Sequence, residues 1–180
     1  MAREIEFYKV LFRPTVVVTT ISRNGIANAA PFSFCTPLSF SPPLVGIASS
    51  PEHDTWKNIK ENGEFVLNVV GENLGNFLWI LEKDFPYEVN EIEKAGLTEE
   101  KSKRVKPPRI KEAFAWIECS LHNYIETGDH IFIIGKVILA EVKEGYYTKI
   151  LNVEKAKPVC HLTGEHFAVI ETVSRFKRAD

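Results

Sequence analysis

The stretch Arg13-Pro-Thr-Val-Val-Val-Thr-Thr-Ile-Ser-Arg-Asn-Gly-Ile-Ala-Asn-Ala-Ala-Pro-Phe-Ser-Phe-Cys35 reads as a β-hairpin. Residues 13–21 are rich in β-branched side chains, which suit a pleated surface. Asn24-Gly25 is the strongest short signal for a two-residue turn, whose central positions need positive φ. The chain then returns as a strand over residues 26–34. Small residues (Ala29, Ala30) and a proline without an N–H (Pro31) let a planar ring approach the backbone, while Ser33 and neighbouring amides offer directional hydrogen bonds. The returning strand therefore reads as the wall of a site for a flat ligand.

Beyond the hairpin, the turn at Ser41-Pro42-Pro43 leads into a strand over 44–48. A helix follows over 55–62, with Trp56 and Ile59 as apolar anchors, Asp54 or Thr55 as its cap and Asn62-Gly63 as its stop. Residues 64–70 return as a strand. Leu74, Phe77, Leu78 and Leu81 have the spacing of an amphipathic helix, and a second short helix over 87–95 ends at Gly96. The basic segment 101–111, broken by Pro107-Pro108, reads as an exposed connection, with attraction of an anionic dinucleotide as a second reading. From 113 the period is two: Ala115, Ile117, Cys119 and Leu121 face one way, Trp116, Glu118, Ser120 and His122 the other. Thr127-Gly128-Asp129 turns the chain into a strand over 130–142, and a last strand is expected over 167–173. Many strands joined by short turns, with helices gathered mid-chain, argue for a mainly β antiparallel barrel with short helical insertions and against βαβ units.

At 180 residues and 44% hydrophobic, the chain is long enough for one domain, 1–180, with a real core. A net charge of −2 gives no drive toward nucleic acid. There is no signal-peptide pattern and no apolar run of membrane-spanning length, so a cytoplasmic protein is expected. The three cysteines, Cys35, Cys119 and Cys160, do not form a disulfide framework. The absence of glutamine and the single methionine lean toward a thermophilic source. A metal site from Cys119 and His122, or from Cys160, His161 and His166, is disfavoured because residues three apart or adjacent on a strand diverge. No metal ligand is assigned.

Ser49-Ser50-Pro-Glu-His53-Asp54-Thr55-Trp-Lys-Asn58 runs from a strand into a helix. Free amides and the helix dipole favour an anion there, and Ser49, Ser50 and Thr55 add hydroxyls. The local sequence also permits the plainer reading, in which Asp54 and Thr55 only cap the helix. The chain resembles the flavin reductase-like family of FMN-binding split barrels. The likeness is carried by RPTVVVTT at 13–20, NGIANAAPFSF at 24–34, SPPLVGIA at 41–48, HDTWKNI at 53–59, GEFVLNV at 63–69, GDHIFIIGKV at 128–137 and KPVCHLTGEHFAV at 157–169. It implies a Greek-key type split barrel and a homodimer. It also implies that Ala30, Pro31, Phe32, Ser33, Phe34 and Cys35 hold the ring of FMN, and that Ser49, Ser50, His53, Thr55 and Asn58 surround its phosphate. By the same resemblance, Gly128, Asp129 and His130 form the turn whose histidine positions the nicotinamide of NADH or NADPH. Two activities follow from it: an NAD(P)H-dependent flavin oxidoreductase that passes electrons onward to a redox partner or monooxygenase, or an FMN electron-transfer protein reduced by a partner.

Overall fold

The computed structural model describes residues 2–176. The strands are β1 (Arg13–Pro14), β2 (Val16–Ile21), β3 (Ala27–Phe32), β4 (Cys35–Phe40), β5 (Pro43–Ser49), β6 (Glu64–Val69), β7 (Glu99–Glu100), β8 (Arg109–Ile110), β9 (Ala115–Thr127), β10 (His130–Val142), β11 (Val159–Thr163) and β12 (His166–Val169). The helices are α1 (Asp54–Asn62), α2 (Gly75–Leu81), α3 (Glu91–Lys94) and α4 (Val153–Ala156). Seven strands form one antiparallel sheet in the order β3-β2-β6-β9-β10-β5-β4. β5 and β6 flank the β9–β10 hairpin on opposite sides, and α1 carries the chain between them. The sheet curls so that Phe32 of β3 packs in one inner cluster with Val45 and Ile47 of β5, and Ala48 N extends the β4–β5 pairing to Phe34 O at 3.0 Å. The result is a mainly β, antiparallel split barrel.

The run Val16-Val17-Val18 lacks polar alternation because both faces of its strand are covered. Val16 and Val18 point into the barrel with Phe65, Leu67, Ile47, Ile133 and Trp56. Val17 points outward into a second apolar layer with Val66, Leu74, Leu78, Leu81, Ile92 and Trp116. The same rule explains β9, where Cys119 belongs to the inner layer and Trp116 to the outer. The barrel is tight at Gly135, where a Cβ would overlap the Phe65 ring.

Several sequence expectations are corrected. The first hairpin does not turn on two residues: Ser22 and Ile26 still bond, Ser22 N to Ile26 O at 2.9 Å, leaving Arg23, Asn24 and Gly25 as the loop, with Gly25 at φ 81. That is the three-residue class of loop, with glycine in the left-handed position. The helix expected over 87–95 is only Glu91–Lys94, because Val89 N donates to Pro86 O and closes a turn ahead of it. The basic segment is not simply exposed. Lys101, Lys103, Arg104 and Lys106 reach solvent, but Ser102, Pro107, Pro108 and Arg109 are buried. Glu118 accepts from the amides of Lys103 (2.9 Å) and Arg104 (2.6 Å) and from Arg109 Nε (2.7 Å), which ties the segment to the sheet. Among the described residues no helix is long and apolar enough to cross a membrane.

Candidate functional site

The strand–turn–helix passage from β5 into α1 faces β3 across a cavity of about 460 Å³, closed on its far side by residues 81–85 and Glu91 and at one edge by His130. This is the size range of small-molecule sites. Ala30, Pro31, Phe32, Ser33 and Phe34 form one wall, and Ser50, His53 and Thr55 line the end nearest α1.

Three residues expected at the site stand behind it. Cys35 lies on β4 and packs with the inner layer, where burial pushes its thiol up to about 11, so it is a neutral and unreactive group. Ser49 is buried, its hydroxyl donating to Ser50 O at 3.1 Å. Asn58 is buried one layer back, donating to Thr20 Oγ1 at 3.0 Å and accepting from Tyr87 Oη at 2.7 Å. It is part of a polar chain that reaches the cavity through Asn28, whose Oδ1 accepts from both Thr20 and Thr55 hydroxyls at 3.1 Å. None of the basic residues of segment 101–111 lines the cavity.

The start of α1 differs from the capping expected from sequence. His53 holds the cap position in extended conformation without a side-chain cap bond, and Asp54 and Thr55 belong to the first turn. Thr55 spends its hydroxyl on Asn28. Among the described residues nothing accepts from the amides of Asp54 and Thr55. Two free N–H groups at the positive end of a helix, with Ser50 beside them, form a spot that seeks an acceptor atom.

At the opposite edge, Gly128 takes φ +65, which lets the β9–β10 turn close tightly enough to set Asp129 beside His130. Asp129 Oδ1 and His130 Nδ1 are 2.7 Å apart, and this bond holds the Asp129 carboxyl below the usual range. A carboxylate only accepts, so Nδ1 carries the proton, and in the neutral ring Nε2 is an acceptor. The His130 ring leans on Phe34, with centroids 5.4 Å apart.

Sequence reasoning missed the far side of the cavity: Glu82, Lys83, Asp84, Phe85 and Glu91. The helical periodicity of 74–81 announced α2, but nothing local announced that the chain after it folds back over β3. A smaller cavity of about 100 Å³ lies on the other side of Pro31, Phe32 and Ser33, lined also by Trp79, His161 and Phe167. His161, weighed above as a metal ligand, instead contacts Arg13 at 3.1 Å and Gly164 O at 3.0 Å. Among the described residues no group of three or more His, Cys, Asp or Glu is arranged to hold a metal.

Residues 8–161 match the family model described as flavin reductase like domain. An uncharacterized protein of Aquifex aeolicus is 42% identical over 165 residues, covering 88% of this chain and 84% of that one. A flavin reductase of Pseudomonas putida is 31% identical over 121 residues, 67% of each chain. In structure, nitrilotriacetate monooxygenase component B from Bacillus cereus superposes with a TM-score of 0.87 at 28% identity, covering 99% of both chains.

Proposed function

Because this chain belongs to the flavin reductase-like family, we propose that it is an FMN-binding oxidoreductase that takes hydride from NADH or NADPH and passes electrons onward to an acceptor. The observation that carries the reading is that one cavity joins an acceptor-seeking helix start, a wall of small and apolar residues and a histidine held at Nδ1 by Asp129, with Nε2 unpartnered among the described residues. The residues fit FMN on those features: the orphaned amides of Asp54 and Thr55 with Ser50 suit the phosphate, and residues 30–34 suit the ring. When bound, the flavin supplies a two-electron acceptor that can release electrons singly. The chain's own tasks are positional. The backbone of Ala30 to Phe34 holds one face of the ring and shields it from water, while Asp129 fixes the His130 ring so that Nε2 can accept from the nicotinamide carboxamide. Ser49 and Asn58 support this site from behind, and Cys35 backs the ring wall.

Anaerobic addition of NADH or NADPH to the FMN-loaded protein is expected to bleach the absorbance band at about 450 nm within seconds. In the His130→Ala variant, loss of one hydrogen bond to the donor raises its KM about tenfold. A band that persists with both donors, yet bleaches on addition of a reduced redox protein, would instead identify an electron carrier without its own nicotinamide site.

The onward acceptor is a redox partner or monooxygenase, a reading supported by the likeness to a monooxygenase component. Large apolar side chains are exposed beside the cavity and along β4: Phe34 and Leu38, with Phe40 almost fully bare at 96%. Such a surface supports a homodimer. Light scattering is expected to give twice the 20.4 kDa chain mass, and Phe40→Asp to shift it toward one chain.

A further inference from the structure

Among the described residues that line the cavity, Glu91 is the one buried carboxyl, and no task above uses it. It is the first residue of α3, whose cap Asn90 accepts from the amides of Ile92 and Glu93. The side chain is directed onto β3, leaving the residue only 8% exposed. A single oxygen, Oε2, accepts from Asn28 Nδ2 and from the Ala29 amide, both at 2.7 Å. The other oxygen, Oε1, has no hydrogen-bond partner among the described residues, yet it is not sealed off, and Glu91 lines the cavity. No cation among the described residues pairs with it.

The hydrogen-bond directions determine where a proton would sit. Asn28 presents its NH2 to Glu91 while its Oδ1 accepts from Thr20 and Thr55. An amide N–H can only donate, so both contacts fix Oε2 as an acceptor. A protonated Glu91 therefore carries its proton on Oε1, the oxygen without a partner among the described residues.

We propose that Glu91 is a specificity-determining residue of the cavity: in its protonated form it donates Oε1–H to a carbonyl or ring-nitrogen acceptor of the bound flavin, so that binding is linked to proton uptake. This deepens, and rests on, the flavin reading above. The charges facing Glu91 favour the protonated form. Asp54 of α1 follows Glu52 and His53, the segment 82–84 brings Glu82, Lys83 and Asp84, and β10 brings His130. Carboxylates outnumber the lone lysine. On α3 itself Glu93 and Lys94 are exposed. Burial first, then the nearby Asp54 and Asp84, push the Glu91 carboxyl up to about 7, against the lowering effect of the Ala29 amide. Above that pH the carboxylate offers lone pairs and negative charge to an acceptor atom, and affinity falls.

The test measures FMN dissociation constants by flavin fluorescence from about pH 6 to pH 9, in wild type and Glu91→Gln, an isostere of the protonated acid. Wild type is expected to weaken relative to the variant by about tenfold per pH unit above about pH 7. The phosphate of FMN titrates equally in both proteins and cancels. Calorimetry in buffers of different ionisation enthalpy is expected to show wild type taking up about half a proton more than the variant at about pH 7. If wild type and Glu91→Gln share one pH profile and one proton count, Glu91 is not the linked group and the inference fails, with the flavin reading intact. If wild type binds no FMN at any pH, both fail.

Discussion

Arg109→Met is expected to destabilise the protein by about 3–5 kcal/mol, the usual cost of stranding a buried charge. Arg109 is among the largest fully buried side chains, and its guanidinium reaches Glu118 at 2.5 Å and Glu141 at 2.7 Å. Glu118 is itself wholly buried, so without the arginine a carboxylate remains in the outer layer with only the amides of Lys103 and Arg104 to stabilise it. Thermal unfolding should show the midpoint falling by about 6–20 °C. Adding Glu118→Leu removes the stranded charge, yet recovery should be partial because those two amides then lose their acceptor. A single variant as stable as wild type would mean that the pair contributes nothing to the docking of segment 101–111.

The second large effect has the opposite sign and depends on pH. In the folded, ligand-free protein the Glu91 carboxyl titrates at about 7, against an ordinary value of 4.5. Its folded value is raised, so the native state binds the extra proton between these two values. Its contribution to stability is complete below the ordinary value and is lost as pH rises through about 7. Glu91→Gln cannot ionise. The variant and wild type should be equally stable at about pH 4.5, and at about pH 8 the variant should be the more stable by about 2 kcal/mol, a figure reduced for screening by cavity water. That is about 4–8 °C in unfolding midpoint. A variant that is less stable than wild type at the higher pH would show that the carboxylate, not the acid, is the form the fold prefers.

Legibility in the sequence followed how local each signal was. β2, β3, β5, β6, β9 and β10 declared themselves because β-branched runs and period-two patterns are carried within a few residues, and α2 did so through Leu74, Leu78 and Leu81. β4 was missed: Cys35–Phe40 contains Pro37 and exposed polar positions and pairs only with β5, so no alternation marks it. β11 was missed for a related reason, since its short run follows Pro158 and gains its partners, β1 and β12, only from the fold. The candidate site divided in the same way. The cavity wall over residues 30–34 and the helix start were each contiguous in sequence. Glu91 was silent because its partners Asn28 and Ala29 lie 63 and 62 residues earlier, and no local pattern encodes that contact.

The bond between Glu91 and the Ala29 amide also bears on how the border of the sheet is protected. β3 is an outer strand of the seven-stranded sheet, and Ala29 and Pro31 sit two apart, so their backbone nitrogens share the side away from β2. One nitrogen is occupied by the carboxyl and the other has no hydrogen to offer. At the opposite border of the sheet, Pro37 interrupts β4 in the same manner. A foreign strand approaching either border finds its ladder of donors broken, so the proline of the cavity wall also guards against edge-to-edge aggregation.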